Sequence, residues 1–234
     1  MTRIEKIEAV TFDAAGTLFF PYPSVGSIYQ EVLAKHGLAL ESSCLEKAFH
    51  QAFQQTRKDP SIADPERRER AYWKEVVSQS VQSLAPFPTN FDEIFDLLWQ
   101  TFAEGSRWKL NEDAVELFDF LESQNIPFAL LTNWDRRVRS VIRDHHLDQR
   151  FSRVFVSSEI GFEKPDPRIF QFAAEALGVS ANRILHIGDH YEQDALGARS
   201  AGWLALQFVP NGSALDAENP SIRRLKDVRQ LIAP

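Results

Sequence analysis

This chain of 234 residues has a single cysteine, no long apolar run and no excess of positive charge. Cys44 is the single cysteine, so no internal disulfide can form and a reducing compartment is the simpler expectation. No apolar run approaches the roughly 18 residues of a membrane span, and the first residues are charged, unlike a secretory signal. We therefore predict a cytoplasmic protein with no membrane partner.

The charge balance is acidic. Twenty-six Lys and Arg residues stand against 33 Asp and Glu, a formal net charge of −7, which argues against a nucleic acid as the main partner. An apolar content of 44% together with a charged content of 25% is typical of a globular protein. The length suits one domain with a large core and a smaller insertion.

Apolar, β-favouring runs alternate with helical patterns along most of the chain. Ala9 to Phe12 forms the first such run, and the alternation resumes at a helix over 112–124. The later predicted elements are strands 127–132, 153–157, 183–187 and 203–209 and helices 136–146, 166–177 and 194–201. This pattern predicts an α/β fold with a Rossmann-like, doubly wound parallel sheet. Helical spacing over 220–234 predicts a last helix, preceded by a loop over 211–219.

A long segment without any strand pattern interrupts this alternation. Four helical patterns cover 24–36, 41–56, 65–84 and 90–103, whereas a crossover between parallel strands needs only about a dozen residues. We predict a core formed by 1–20 and 107–234 and an all-helical cap, 21–106, inserted after the first strand. Two prolines within 18–23 indicate a hinge-like exit from the core.

Polar side chains stand at the ends of three predicted strands and before one helix. Asp13 ends the first strand, Thr132 and Asn133 end the second, and Lys164 precedes a helix that a proline begins. Asp189 ends a further strand, and Asp194 follows five residues later. Because parallel sheets bind their ligands at this edge, these residues together predict a phosphate and metal site.

The residue types suggest a division of labour. Asp13 can act as a nucleophile and a metal ligand, Asp189 can supply a second oxygen ligand, and the backbone carbonyl of Ala15 can supply a third, a set that suits Mg²⁺. Thr132 and the amides around Asn133 can hold phosphate oxygens. Lys164 can neutralise charge on the transferring group and Asp194 can orient water or Lys164. Taken singly, Thr132, Asn133 or Asp194 could equally be a helix cap and Lys164 a surface residue.

In this order, these stretches resemble the four motifs of the haloacid dehalogenase superfamily. The first reads Asp13-Ala14-Ala15-Gly16-Thr17, and the last reads Gly188-Asp189-His190-Tyr191-Glu192-Gln193-Asp194. The resemblance spans nearly the whole chain, and 133–137, 157–159 and 164–170 resemble a helical-cap branch of the superfamily. It implies a Mg²⁺-dependent hydrolase that acts on a small phosphorylated metabolite through an aspartyl-phosphate intermediate on Asp13.

The chain departs from the phosphatases of that superfamily at Ala15. Those enzymes carry an Asp two residues after the nucleophile, which protonates the leaving group and later activates water. Ala15 can do neither, so activity should be weak or restricted to good leaving groups. His190, Tyr22 and His50 are candidate substitutes for the missing acid.

Three alternatives remain open at this point. A phosphonatase would share the Asp-x-Ala-Gly-Thr motif and would need a cap lysine, for which the candidates are Lys35, Lys47, Lys58 and Lys74. A 2-haloacid dehalogenase is disfavoured because Asp189 supplies a metal ligand that such enzymes lack. A catalytically impaired binding or scaffold protein is the non-enzymatic alternative. The sequence does not distinguish a monomer from a homodimer.

Overall fold

The computed structural model describes residues 7–210 and 220–232. The strands are β1 Ala9–Phe12, β2 Phe19–Pro21, β3 Trp108–Leu110, β4 Phe128–Thr132, β5 Arg153–Val156, β6 Ile184–Gly188, β7 Leu204–Phe208 and β8 Ser221–Ile222. The α-helices are α1 Val25–Lys35, α2 Ser42–Gln55, α3 Pro65–Gln82, α4 Phe91–Thr101, α5 Ala114–Ser123, α6 Arg137–Asp144, α7 Ser157–Ile160, α8 Pro167–Leu177, α9 Gly197–Ser200 and α10 Val228–Ile232.

Six of the strands form one parallel sheet in the order β5-β4-β1-β6-β7-β8. The predicted Rossmann-like parallel fold is therefore confirmed. β1 lies at the centre, where Phe12 pairs with Leu130 of β4 on one side and with Ile187 of β6 on the other. All residues of β1, β4 and β6 are buried, which explains why these strands read as continuous apolar runs.

Side-chain alternation gives the sheet two different faces. On one face Phe12 and Phe128 pack with Phe118 of α5, and the rings of Phe118 and Phe128 stack at 4.6 Å between centroids. On the other face Leu131 packs with Phe170 of α8 in a second apolar cluster. Residues of β1 that alternate with Phe12 therefore face α8.

By their internal contacts the residues form two compact units. One contains the six-stranded sheet and comprises the described residues up to Phe20, Leu110–Trp134 and those from His146 onward. The other comprises Pro21–Lys109 and Asp135–His145, that is, α1 to α4 together with α6. The sequence-based boundary at 106/107 lies three residues before this division, and the sequence pattern assigns α6 to the core. Those predicted boundaries stay predictions.

The helical unit has its own apolar core. Ile28 and Leu33 of α1, Leu45 of α2 and Ile94 of α4 are fully buried in it. α6 belongs to this unit because Asp144 accepts a hydrogen bond from the backbone N–H of Gly105 and the Arg137 guanidinium lies 3.5 Å from the centre of the Trp99 ring. The periodicity that predicted four helices in this segment corresponds to α1 to α4.

Three local predictions differ in detail from the structure. The segment 18–23, predicted as a hinge-like exit from the core, contains the division between the two compact units after Phe20, but it also contains β2, which pairs with β3 because Phe19 and Phe20 favour extended backbone. The expected single helix over 220–234 is β8, a 3₁₀ turn and the short α10, because Ser221 and Ile222 pair with β7. The loop predicted over 211–219 lies outside the described residues. The helix expected over 194–201 begins earlier, as a π-helical turn over Tyr191–Leu196.

Within residues 7–210 and 220–232, no helix combines the length and the apolar character needed to cross a bilayer.

Candidate active site

The candidate site lies at the C-terminal edge of the sheet, between β1 and β6. Here the order in which strands are added to the sheet reverses, because β4 and β5 lie on one side of β1, whereas β7 and β8 lie on the other side of β6. The loops that follow β1 and β6 therefore diverge and leave a crevice, which is where open α/β sheets bind ligands.

Asp13 is held at the end of β1 by backbone hydrogen bonds. Its N–H donates to the carbonyl of Ile187 at 2.8 Å. The chain then turns tightly, and the carbonyl of Ala14 accepts from the N–H groups of Leu18 and Phe19 at 2.9 and 2.8 Å. With 8% of the residue exposed, Asp13 is largely buried, and the backbone on either side of it is hydrogen-bonded.

Two glycines make room for the other carboxylates. A Cβ on Gly16 would lie 2.5 Å from Asp189 Oδ2, and Gly16 also has a φ of +91°. A Cβ on Gly188 would lie 2.2 Å from the Asp194 Cγ atom. Both distances are far below van der Waals contact, so only glycine allows the two carboxylates to approach the backbone this closely.

Lys164 joins the acids. Its ammonium is buried and donates to Asp13 Oδ1 at 2.8 Å, to Asp194 Oδ1 at 2.5 Å and to the backbone carbonyl of Leu131 at 2.9 Å. These three acceptors use all three protons of the ammonium. Lys164 is therefore a fixed bridge between the first and the last motif, and its surface-lysine explanation does not apply.

Asn133 positions the loop that carries Lys164. Its Oδ1 accepts from the Lys164 N–H at 2.8 Å, and its Nδ2 donates to the Lys164 carbonyl at 2.8 Å and to Gln193 Oε1 at 3.0 Å. The side-chain amide is thus committed to protein partners. Of the groups expected to hold phosphate here, the backbone N–H groups around Asn133 remain candidates, together with Thr132, which is buried at the end of β4.

Asp194 lies on the π-helical turn that follows β6. His190 stands at the N-terminus of this turn, and its backbone N–H donates to Asp194 Oδ2 at 2.9 Å. The turn brings Asp194 back toward the end of β6, so that one carboxylate oxygen of Asp194 lies within 4.8 Å of one of Asp189. Asp194 is 1% exposed, and both of its oxygens accept hydrogen bonds from the protein.

The carboxylates share an unfavourable electrostatic environment. Burial, reinforced by the charges of Asp194 and Asp189, raises the pKa of Asp13 to about 6 although Lys164 opposes this. Burial also raises the pKa of Asp189. For Asp194 burial acts in the same direction, but Lys164 and His186 outweigh it and lower the pKa. One ammonium against three carboxylates leaves the cluster with excess negative charge at neutral pH.

This cluster fits a hard divalent cation. One oxygen from each of Asp13, Asp189 and Asp194 lies within 4.8 Å of the others. Asp189 is the least committed of the three, since its side chain accepts a long hydrogen bond of 3.3 Å from Thr17 Oγ1. Oxygen donors with excess negative charge suit Mg²⁺. Asp194, already saturated by the protein, is better suited to supporting Lys164 than to coordination.

Two of the three residues suggested as substitutes for the missing acid at Ala15, His190 and His50, have other partners. His190 Nδ1 accepts from the N–H of Gln193 at 3.3 Å, so the ring caps its own helical turn. His50 lies 3.3 Å from Glu46 on α2. Ala15 itself is exposed, and Tyr22 is 55% exposed.

Three of the cap lysines that a phosphonatase would need are paired with carboxylates. Lys35 pairs with Glu31, Lys58 with Glu69 and Lys74 with Asp92. Ion pairing therefore gives these three lysines an ordinary structural explanation.

Sequence reasoning missed Thr11, His186 and Gln193. His186 and Thr11 are fully buried and hydrogen-bonded to one another, and Gln193 binds Asn133. A signal for His186 was present, because a histidine inside the apolar run Ile184-Leu185-His186-Ile187 must find partners when it is buried. Nothing in the sequence indicated the bond between Gln193 and Asn133, since a glutamine in a polar segment is ordinarily a surface residue.

A buried Asp-Lys-Asp bridge beside a second acid, at the switch point of a parallel sheet, defines a hydrolase-type site of the haloacid dehalogenase class. Residues 7–202 match the model of the haloacid dehalogenase-like hydrolases, and the chain belongs to this family. The resemblance that the motifs indicated is thereby confirmed.

Curated relatives give the same family. The chain is 29% identical over 207 residues to haloacid dehalogenase-like hydrolase domain-containing protein 3 of Bos taurus, a match that covers 84% of this chain and 80% of the relative. It is 28% identical over 221 residues to the Homo sapiens protein of the same name, covering 90% and 85%. The branch that 133–137 and 164–170 resemble is the branch of these proteins.

Solved structures share the fold. A HAD phosphatase from Thermococcus onnurineus superposes with a TM-score of 0.68 at 19% identity, covering 97% of this chain and 98% of that one. The L-2-haloacid dehalogenase from Xanthobacter autotrophicus gives 0.72 at 16% identity, covering 97% and 98%. YfnB from Bacillus subtilis, bound to magnesium, gives 0.71 at 19% identity, covering 98% and 100%.

Proposed function

We propose that the protein is a Mg²⁺-dependent phosphohydrolase that forms an aspartyl-phosphate on Asp13. The observation that carries this proposal is the Lys164 bridge, which directs an ammonium at Asp13 Oδ1 while Asp189 stands beside them. Phosphatases and haloacid dehalogenases share the fold, so the fold does not choose between them. The uncommitted acid Asp189 favours phosphate chemistry, because a haloacid substrate calls for no metal ligand.

In the proposed reaction, a carboxylate oxygen of Asp13 attacks the phosphorus of a small phosphate ester or anhydride. The bond from phosphorus to the leaving oxygen breaks, and the leaving group departs with that electron pair. Lys164 and the backbone N–H groups around Asn133, with Thr132, offset the charge on the phosphoryl oxygens. Water then hydrolyses the acyl phosphate, which releases inorganic phosphate and restores Asp13.

Mg²⁺ would be held by Asp13, Asp189 and the carbonyl of Ala15. When bound, it supplies positive charge that offsets the repulsion between the carboxylate and the phosphate. Asp194 supports Lys164 from behind. Because Ala15 cannot protonate a leaving alkoxide, the substrate has a good leaving group, such as that of an acyl or aryl phosphate. The same alanine favours the second candidate, a catalytically impaired protein that binds phosphorylated ligands.

The test is hydrolysis of p-nitrophenyl phosphate and acetyl phosphate, with and without Mg²⁺, by the wild type and Asp13→Asn. We expect Mg²⁺-dependent turnover that the variant loses by at least about 10³-fold, because it has no nucleophile. Asp148→Asn, at an exposed position, is the matched control and should keep wild-type activity. Turnover that survives in Asp13→Asn would remove the mechanism.

The binding-protein candidate makes a different prediction for inactive protein. If neither substrate turns over, beryllium fluoride in the presence of Mg²⁺ should still raise the melting temperature of the wild type and not of Asp13→Asn. Stabilisation without turnover would establish ligand binding alone.

We also propose a small-molecule ligand rather than a nucleic acid or membrane as partner, and a cytoplasmic location.

A further inference from the structure

A buried histidine lies beneath the acids of the site. His186 is on β6, and Thr11 is its partner in register on the adjacent β1. Both residues are fully buried, and Thr11 Oγ1 lies 2.8 Å from His186 Nδ1. The rings of Phe170 and Trp203 meet the imidazole edge-on at 5.9 and 6.4 Å between centroids. The imidazole is therefore enclosed by aromatic rings, which restrict its rotation.

The hydrogen bonds of His186 define its tautomer. Its Nε2 lies 3.1 Å from Asp194 Oδ1, and an ionised carboxylate can only accept, so Nε2 carries a proton. Burial lowers the pKa of His186, which favours the neutral ring. In a neutral imidazole the other nitrogen is an acceptor, so the hydroxyl of Thr11 donates to Nδ1.

Asp194 passes this constraint to Lys164. Its Oδ1 accepts from His186 Nε2 and from Lys164 Nζ, and its Oδ2 accepts from the N–H of His190. These donors approach the carboxylate from different sides, so its rotation about the Cβ–Cγ bond would break at least one hydrogen bond. Lys164 in turn donates to Asp13 Oδ1. An oriented chain of hydrogen bonds therefore runs from the interior of the sheet to the nucleophile.

We propose that His186, fixed by Thr11, is a positioning residue that holds Asp194 in the rotamer that aims the Lys164 ammonium at Asp13. This inference rests on the proposed phosphohydrolase function. His186 touches neither substrate nor the reacting atoms. It acts by limiting the orientations of Lys164, whose charge must stay close to the phosphoryl group in the transition state. Loss of His186 should therefore lower kcat rather than raise KM.

The first experiment compares His186→Gln with His186→Leu in steady-state hydrolysis of p-nitrophenyl phosphate. Gln can offer an N–H to Asp194 and an acceptor to Thr11, whereas Leu offers neither. We expect kcat to fall by about 10- to 100-fold in His186→Leu and by less than about 5-fold in His186→Gln, with KM within about 3-fold of the wild type. Circular dichroism and thermal melting identify a Leu variant that fails to fold.

Thr11 supplies a matched pair of variants. Thr11→Ser keeps the hydroxyl and should keep the wild-type kcat, whereas Thr11→Val is nearly isosteric but removes the donor to Nδ1. We expect Thr11→Val to lower kcat by about 3- to 10-fold. If Ser and Val behave alike, Thr11 does not fix the imidazole and the inference is overturned.

A spectroscopic measurement tests the arrangement without any turnover. ¹⁵N-edited NMR of wild-type protein labelled at histidine should show His186 as the neutral tautomer with the proton on Nε2, assigned by its loss in His186→Gln. Protonation at Nδ1 instead would overturn the inference.

An inactive wild type would defeat the proposed function, and the positioning role with it, even if the tautomer is as described. An active wild type with undiminished kcat in folded His186→Leu would defeat this inference alone.

Discussion

Gly16 and Gly188 shape the site by the side chains that they lack. The space that a Cβ would occupy is filled by the carboxylates of Asp189 and Asp194, respectively. Substitution at either position should therefore act on the acids rather than on the backbone alone. Displacement of an acid is a steric effect, and it is distinct from the conformational strain that any residue other than glycine meets at positive φ.

Gly16→Ala should weaken Mg²⁺ binding by at least about 10-fold, because the new Cβ displaces Asp189 from its place beside Asp13. Gly178→Ala is the matched control, since Gly178 also has a positive φ, +68°, but no neighbouring heavy atom lies within 4 Å of where its methyl group would stand. Both variants should lose about 1 kcal/mol of stability from backbone strain. Mg²⁺ titration of activity and urea unfolding measure the two effects. Equal Mg²⁺ affinity in both variants would contradict the steric account.

At the scale of single residues, the acids, the lysine and the pairing of Asp194 with Lys164 could be predicted from the sequence, whereas their other partners could not. Asp13 and Asp189 follow apolar strands, so strand pattern alone sends them to one sheet edge. The phosphate-binding role of the backbone N–H groups around Asn133 stays a prediction, whereas the bond between its side-chain amide and the Lys164 backbone could not be predicted, because no local pattern encodes a partner 31 residues away. Such contacts depend on how loops meet in the folded chain.

The loops, rather than the strands, distinguish this site at the scale of elements. Three loops meet at Asn133, whose amide connects the end of β4, the Lys164 loop before α8 and Gln193 on the π turn. These side-chain hydrogen bonds therefore hold the end of β4, the Lys164 loop and the π turn to one another. Loss of one should therefore affect both stability and activity.

Asn133→Asp tests this connection with almost no change in volume. The carboxylate can still accept from the Lys164 N–H. Its second oxygen, however, would face the Lys164 carbonyl and Gln193 Oε1, two acceptors to which the Asn133 amide donates. We expect a loss of about 1–3 kcal/mol in stability and a parallel fall in kcat, because Lys164 is no longer held. Urea unfolding and hydrolysis assays measure these changes. The control Asn182→Asp adds the same charge at an exposed site, and an equal loss there would count against the clamp.

The strands of the sheet were the elements easiest to predict. β1, β4 and β6 are buried on both faces and so appear as mainly apolar runs, with Thr11 and His186 as the polar residues inside them. The failures fall on short elements. The pair β2 and β3 has three residues in each strand, too few for a periodic pattern, and β8 has two. The π turn escaped because Asp194 reads equally well as the start of an ordinary helix.

For the molecule as a whole, the buried acids make folding stability depend on pH and on divalent cations. The pKa of Asp13 is raised from 3.8 to about 6 in the folded state. The folded state therefore binds this proton more tightly than the unfolded state does. The resulting penalty is fully present above about pH 6 and disappears as the pH falls toward 4.

Asp13→Asn removes this penalty, since the amide stands in for the protonated acid. In EDTA at pH 7.5 we expect the variant to be more stable than the wild type by up to about 3 kcal/mol, from about 1.4 kcal/mol per pKa unit. The difference should shrink between pH 6 and pH 4, and Mg²⁺ should reduce it at pH 7.5 by stabilising only the wild type. Urea unfolding across pH gives the difference. A constant gap from pH 4 to pH 7.5 would refute the assignment to Asp13.

The exposed side chain of Ala15 stands one residue before Gly16, where a Cβ would collide with the carboxylate of Asp189. Two adjacent positions of the same turn therefore differ completely in their freedom to vary. Larger or acidic groups can be installed at Ala15 without repacking the core, while Gly16 keeps the acids in place. Single substitutions at Ala15 can therefore change the reaction that the site catalyses, while Gly16 and the acids behind it stay the same.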